Sequence, residues 1–173
     1  MNFWRIMPTT PQPAQVFDSA WAFDLANNTI AVSWWEIGDV RMLNELQFDE
    51  VCAQKYGNTS ANTRRYIRSA LLRFHGVTDD GVQLGDTIIA CRGKSAVVGI
   101  GKVIGPSYYD EAQGLKRIGV WKDRRACHFL PVEWEMKQEI PVPSSFILPR
   151  STFSKLSRAR FETLYQWTKQ ASA

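Results

Sequence analysis

The sequence predicts an α+β fold, a small, strongly curved mixed β-barrel with helices packed outside. Three observations lead there. Element signals run as strand, two helices, a cluster of strands and a closing helix, without the alternation that a doubly wound parallel sheet requires. Glycines at 85, 93, 99, 101 and 105 punctuate the strand cluster and mark tight turns and sharp strand bends. The 173 residues, 45% hydrophobic and 22% charged, suit one globular domain with its own core.

Residues 1–28 read as a short apolar strand, "FWRIM", followed by a Pro-rich loop. Residues 29–34 form a β-rich run ending in a tryptophan pair. "NELQFDEVCAQKYG" places Leu46, Val51, Cys52 and Tyr56 near helical spacing, with Gly57 suited to the position past a helix end. "SANTRRYIRSALLRFHG" repeats this with Ile67, Leu71 and Phe74 on one face and Gly76 as the stop, so residues 44–75 form a helical insertion. "VQLGDTIIACRGKSAVVGIGKVIG" then reads as two strands joined at Arg92-Gly93-Lys94. "KRIGVWKDRR" and "CHFLPVEWEM" are two further strand candidates, and Pro141, Pro143 and Pro149 make the next stretch irregular. A helix over about 154–170 closes the single domain 1–173, with Leu156, Phe161, Leu164 and Trp167 as its buried stripe.

Composition narrows the function. Three cysteines without metal-ligand spacing and two histidines argue against a zinc site and for reduced thiols. No apolar run is long enough for a membrane span, and the start lacks the apolar core of a signal peptide, so a cytoplasmic protein is expected. The net charge of +4 permits a polyanionic partner. Its placement matters more. Arg64, Arg65 and Arg68 cluster in 62–73, Lys116, Arg117, Lys122, Arg124 and Arg125 in 115–125, and further cations in 150–160. Basic clusters interleaved with Ser, Thr, Asn and aromatic residues are what phosphate-backbone binding uses, so the first two clusters are the candidate phosphate contacts.

Catalytic constellations are missing. A carboxylate–metal nuclease needs a second acid beside Asp86 and "CRGK", and the sequence offers none. "GIGKVIGP" lacks the Gly-Lys-Ser/Thr ending of a phosphate loop. Cys127 and His128 are neighbours on a strand and so point to opposite faces, and His75 beside Gly76 reads as a helix cap. A binding module is expected, with no catalytic residue, metal or cofactor.

"IAVSWWEIGDV", then "VQLGDTIIACRGKSAVVGIGKVIGPSYYD", then "KRIGVWKD" and "FLPVEWE" together resemble the EVE/YTH-like branch of the PUA-like superfamily. More narrowly they resemble the DNA-reading domains of McrB-type and related modification-dependent restriction systems, over residues 29–135. The resemblance implies a PUA-like barrel that flips a methylated base out of DNA into an aromatic cage. It also implies a nuclease or GTPase on a partner or a further domain. A PUA-like reader of modified RNA, tRNA or rRNA is the alternative on the same scaffold.

Carried onto this chain, the resemblance assigns Trp34 and Trp134 to the cage walls and places Tyr108 and Tyr109 where a loop closes over the pocket. Trp35 departs from the family pattern and is left to packing or to the pocket rim. The amide that relatives set against the base edge has no clear counterpart, with Asn27, Asn28 and Ser33 all open. Trp121 reads as core. Because neighbouring side chains on a strand point to opposite faces, Trp34 and Trp35 are not expected to share one environment.

Overall fold

Antiparallel pairing dominates one curled sheet in the order β2 (Thr29–Val32), β6 (His128–Met136), β4 (Ala96–Val103), β3 (Thr87–Arg92), β1 (Phe3–Ile6) and β8 (Phe153–Leu156). The computed structural model describes residues 1–143, 146, 148–149 and 151–171, and of Glu45 the backbone alone. Its strands are β1 (Phe3–Ile6), β2 (Thr29–Val32), β3 (Thr87–Arg92), β4 (Ala96–Val103), β5 (Tyr108–Tyr109), β6 (His128–Met136), β7 (Ile140–Pro141) and β8 (Phe153–Leu156). Among the described residues only β1 with β3 pairs in parallel. The helices are α1 (Ala14–Ala26), α2 (Glu45–Tyr56), α3 (Ala61–Phe74), α4 (Glu111–Ile118) and α5 (Arg158–Ala171), with 3₁₀ turns at Trp35–Ile37, Val40–Met42 and Lys122–Arg124. The α+β class and strong curvature hold, whereas the barrel stays open, a half-barrel whose outer strands are β2 and β8.

The glycines bend the sheet where expected. Pairing registers slip at Ala90/Cys91 and at Ile100/Gly101. Gly99 is also required by packing, since a Cβ there would lie 2.6 Å from the Trp21 ring. Trp21 and Trp134 meet edge to face at 4.9 Å over that gap. They belong to the larger core cluster, in which Phe17, Ile30, Val32, Leu71, Phe74, Ile88 and Val98 are wholly buried.

Four elements differ from the sequence reading. The expected loop holds α1, whose Val16, Phe17, Ala20, Trp21 and Asp24 face inward at helical spacing. Pro13 at its N-cap position is compatible with a helix start, where no backbone donor is needed. "KRIGVW" is not a strand. Asp110 caps α4 by accepting from the Gln113 N–H at 2.9 Å, and Gly119 ends it at φ +55°. The closing helix begins only at Arg158, because residues 153–156 pair with β1 as β8 and Leu156 serves the strand. In α2 the buried residues include Phe48 and Cys52, while Leu46 is exposed.

Candidate nucleic-acid interface

Strand β2 ends because Trp34 leaves the extended region, with φ +69° and ψ +34°. A bulky residue in this left-handed conformation is strained by about 1–3 kcal/mol and persists only where its surroundings hold it. Its carbonyl accepts from His128 Nε2 at 3.2 Å and from the Ile37 N–H at 3.1 Å. Its ring meets Tyr66 of α3 edge to face at 5.8 Å. The chain passes straight into the 3₁₀ turn, so the alternation rule lapses. Trp34 and Trp35 therefore line the same cavity of about 190 Å³.

That cavity is aromatic and cationic. Tyr56, from the end of α2, adds a third aromatic residue, and its hydroxyl donates to Glu36 Oε2 at 2.6 Å. The Arg125 guanidinium lies 3.9 Å from the centre of the Trp35 ring, and Arg124 stands beside it on the lining. Ser33, Thr9 and Thr10 contribute hydroxyls, and Glu36 and Asp123 contribute acceptors. From below, the Tyr109 hydroxyl donates to the Trp35 carbonyl at 2.8 Å. A larger cavity of about 360 Å³ borders His75, Ser107 and Arg41, but its one aromatic hydrocarbon ring, Phe74, is wholly buried.

Behind Trp34 runs a buried chain of imidazoles. His128 Nε2 faces a carbonyl, so it must carry the proton, which leaves Nδ1 as an acceptor. His75 Nε2, 2.9 Å away, therefore donates to it, and His75 Nδ1 accepts from the Ser107 hydroxyl at 2.8 Å. The bond between the two rings requires His128 Nδ1 to stay unprotonated, so a charge on His128 breaks it. Burial pushes His75 down to about 3, helped by His128 and Arg41, and burial pushes His128 down to about 4. His75 does cap α3 with its backbone, as read from the sequence, but its ring serves this chain.

The remaining expected residues divide. Trp134 is 5% exposed, deep against Trp21, and does not line the cavity of Trp34, so the assignment of Trp134 to a cage wall is corrected. Tyr108 stacks on Phe129 and Tyr109 leans on His128, both in β5 paired with β6 rather than in a closing loop. Arg117 is corrected as well. It is 1% exposed and makes a bidentate pair with Asp24, both bonds 2.7 Å, so it is not available to a phosphate. Lys116 and Lys122 are exposed. Arg64, Arg65 and Arg68 line a separate cavity of about 350 Å³ between α2 and α3, where Arg68 also pairs with Asp49 at 3.5 Å. Trp121, expected in the core, is 37% exposed. In the third basic cluster Arg150 lies outside the described residues, and Lys155 and Arg158 sit over the Trp4 and Phe3 rings.

Among the described residues no group of His, Cys, Asp and Glu is arranged to hold a metal. The Asp86 oxygens accept from the Asn2 backbone and side chain, Trp4 Nε1 and the Gln83 N–H, a structural role. The three cysteines are free and buried, and burial raises the thiols, Cys91 to about 11 and Cys127 to about 12. Among the described residues no helix is long and apolar enough to cross a membrane.

Residues 11–162 match a family described as a domain of unknown function, DUF8426. The chain belongs to the DUF8426 family. No curated protein matches it. The matched span runs from before α1 into α5 and includes every residue of the Trp34–Trp35 cavity except Thr9 and Thr10. Glu36, Tyr56, Thr9, Thr10 and Asp123 are the cavity residues that sequence reasoning missed. Glu36 was within reach, since it follows the tryptophan pair directly. Tyr56 was not, because its helical spacing also fits a plain core face.

Proposed function

We propose that this DUF8426 protein is a nucleic-acid-binding module that takes a methylated base of DNA into the Trp34–Trp35 cavity, as the specificity part of a modification-dependent restriction system. The observation that carries the reading is the convergence of Trp34, Trp35 and Tyr56 on one small cavity edged by Arg124 and Arg125. About 190 Å³ is below the ~300–1,000 Å³ of drug-sized sites and matches a single planar ring better than a whole nucleotide. Stacking returns roughly 1–3 kcal/mol per base against a flipping cost of a few kcal/mol. One methyl adds only about 1 kcal/mol, so the Glu36 carboxylate and the Arg125 guanidinium supply the edge hydrogen bonds that complete the discrimination. A nuclease or GTPase is carried on another domain or partner, and the domain by itself is a binder.

The test is equilibrium binding to one sequence as methylated DNA, unmodified DNA and RNA, for the wild type and Trp35→Ala. The methylated strand is expected to bind most tightly, and Trp35→Ala to remove that preference while keeping the weak, salt-sensitive binding. Equal affinity for methylated and unmodified DNA overturns the reading, and a preference for RNA moves the target to the PUA-like alternative.

A further inference from the structure

The loop that leaves α4 exposes apolar side chains where a soluble domain has no need of them. Val120 is 87% exposed and Trp121 is 37% exposed, at a tip that follows the left-handed Gly119. The tip is tied down rather than loose, since the Trp121 N–H donates to the Ile118 carbonyl at 3.1 Å and the Arg124 N–H to the Trp121 carbonyl at 2.8 Å. Cations flank it on both sides, Lys116 before it and Lys122 after it, both exposed. The same short segment ends in Arg124 and Arg125, which line the tryptophan cavity. Apolar tip, flanking cations and cavity edge thus lie on one continuous stretch of chain.

A base drawn out of a duplex leaves a gap whose neighbours have lost their stacking, and apolar side chains inserted into a base step compensate for it. We infer that Val120 and Trp121 are the wedge of this domain. They enter the base stack at the position vacated by the flipped base, while Lys116 and Lys122 hold the phosphates on either side. The inference rests on the base-reading proposal and extends it to the double-stranded form of the target. Charge complementarity selects this occupant, because an apolar tip with an exposed lysine on either side fits between phosphates.

A single strand needs no wedge, and this separates the two ideas. Val120→Ser and Trp121→Ser are exposed changes whose folding is checked by thermal melts. Each is measured on oligonucleotides carrying one 5-methylcytosine or one N6-methyladenine, as single strands and as duplexes. A 2-aminopurine beside the target reports unstacking. The wedge predicts that duplex Kd rises about tenfold or more, equivalent to about 1.4 kcal/mol, with the 2-aminopurine signal reduced and single-strand Kd unchanged within about twofold. If the wild type prefers methylated single strands and both variants bind duplex as the wild type does, the wedge is wrong and the base pocket stands. If both variants lose single-strand and duplex binding equally, the tip is an ordinary contact and the wedge is wrong. If the wild type discriminates on neither form, base reading and wedge fall together.

Discussion

Trp34 keeps its strained conformation through a carbonyl held by His128, and the bond from His75 that positions the His128 ring lasts only while His128 Nδ1 is unprotonated. Arg41, Asp39 and Tyr109 are the charged or titratable groups around the histidine pair. Both rings titrate near 6.5 when unfolded and well below it when folded, so the unfolded chain binds more protons as pH falls below 6.5. Their stabilisation is therefore complete above pH 6.5 and is lost towards pH 4 and below, at up to about 1.4 kcal/mol per pH unit for each ring. Asp24 works in the opposite sense below about 6, because burial raises its carboxyl to that value. Urea unfolding at pH 7 and pH 5.5 is expected to show a clear loss in the wild type. The loss should be smaller in His128→Gln, whose amide still offers a donor to Trp34 and an acceptor to His75. Equal losses would take the histidines out of the explanation. Trp134 gives a second residue-scale prediction. Its ring fills the core against Gly99 and Gly101, so Trp134→Ala should cost about 3–5 kcal/mol, whereas Trp35→Ala at the cavity should barely move the melting temperature.

Helix α4 is held to α1 by the pair Asp24–Arg117, with both side chains wholly shielded from water. Breaking such a pair strands a buried charge, so Asp24→Asn should cost about 3–5 kcal/mol by chemical denaturation. Replacing both, as Asp24→Leu with Arg117→Met, is expected to recover most of that loss. The apolar pair also removes Arg117 Nη1, which is buried without a hydrogen-bond partner. A double variant as unstable as the single one would show that the charges themselves hold α4 in place. This pair also marks where the sequence stopped being legible. Arg117 sits in a basic run that looks like a solvated or phosphate-binding face, and only the docking of α1 buries it. The α1 pattern at Val16, Phe17, Ala20, Trp21 and Asp24 was present in the sequence, masked by the prolines before it. β2, α2, α3, the β3–β4 hairpin and β6 were readable because their periods are local. β8 was not, since its partner β1 is nearly the whole chain away. At the site, the tryptophan pair and Arg124–Arg125 were legible by type, but their meeting depends on the left-handed turn at Trp34, for which a bulky residue gives no signal.

Across the whole molecule the charge balance is mild, at +4, so placement decides what a polyanion meets. Arg117 is spent on Asp24, Arg73 on Asp80 at 2.7 Å, and Arg92 on Asp18 and Glu139. Lys116, Lys122 and Arg65 are exposed. They differ from the paired cations in what binding requires of them, since only a cation that neutralises a phosphate releases counterions. Each such contact adds about 0.9 to the magnitude of the slope of log K against log salt. Lys122→Ala and Arg65→Ala are therefore each expected to flatten the slope by roughly that amount and to weaken methylated and unmodified DNA alike, because phosphate contacts position without specifying. Arg73→Ala should leave the slope unchanged, as its guanidinium already faces a carboxylate. Binding titrations between about 50 and 200 mM salt resolve a change of one contact when several are made. A wild-type affinity indifferent to salt would mean that the exposed cations only solvate the surface, and the nucleic-acid reading would lose its electrostatic half. A slope that falls for Lys122→Ala but not for Arg65→Ala would confine the footprint to the α4 side of the cavity, next to the Val120–Trp121 tip.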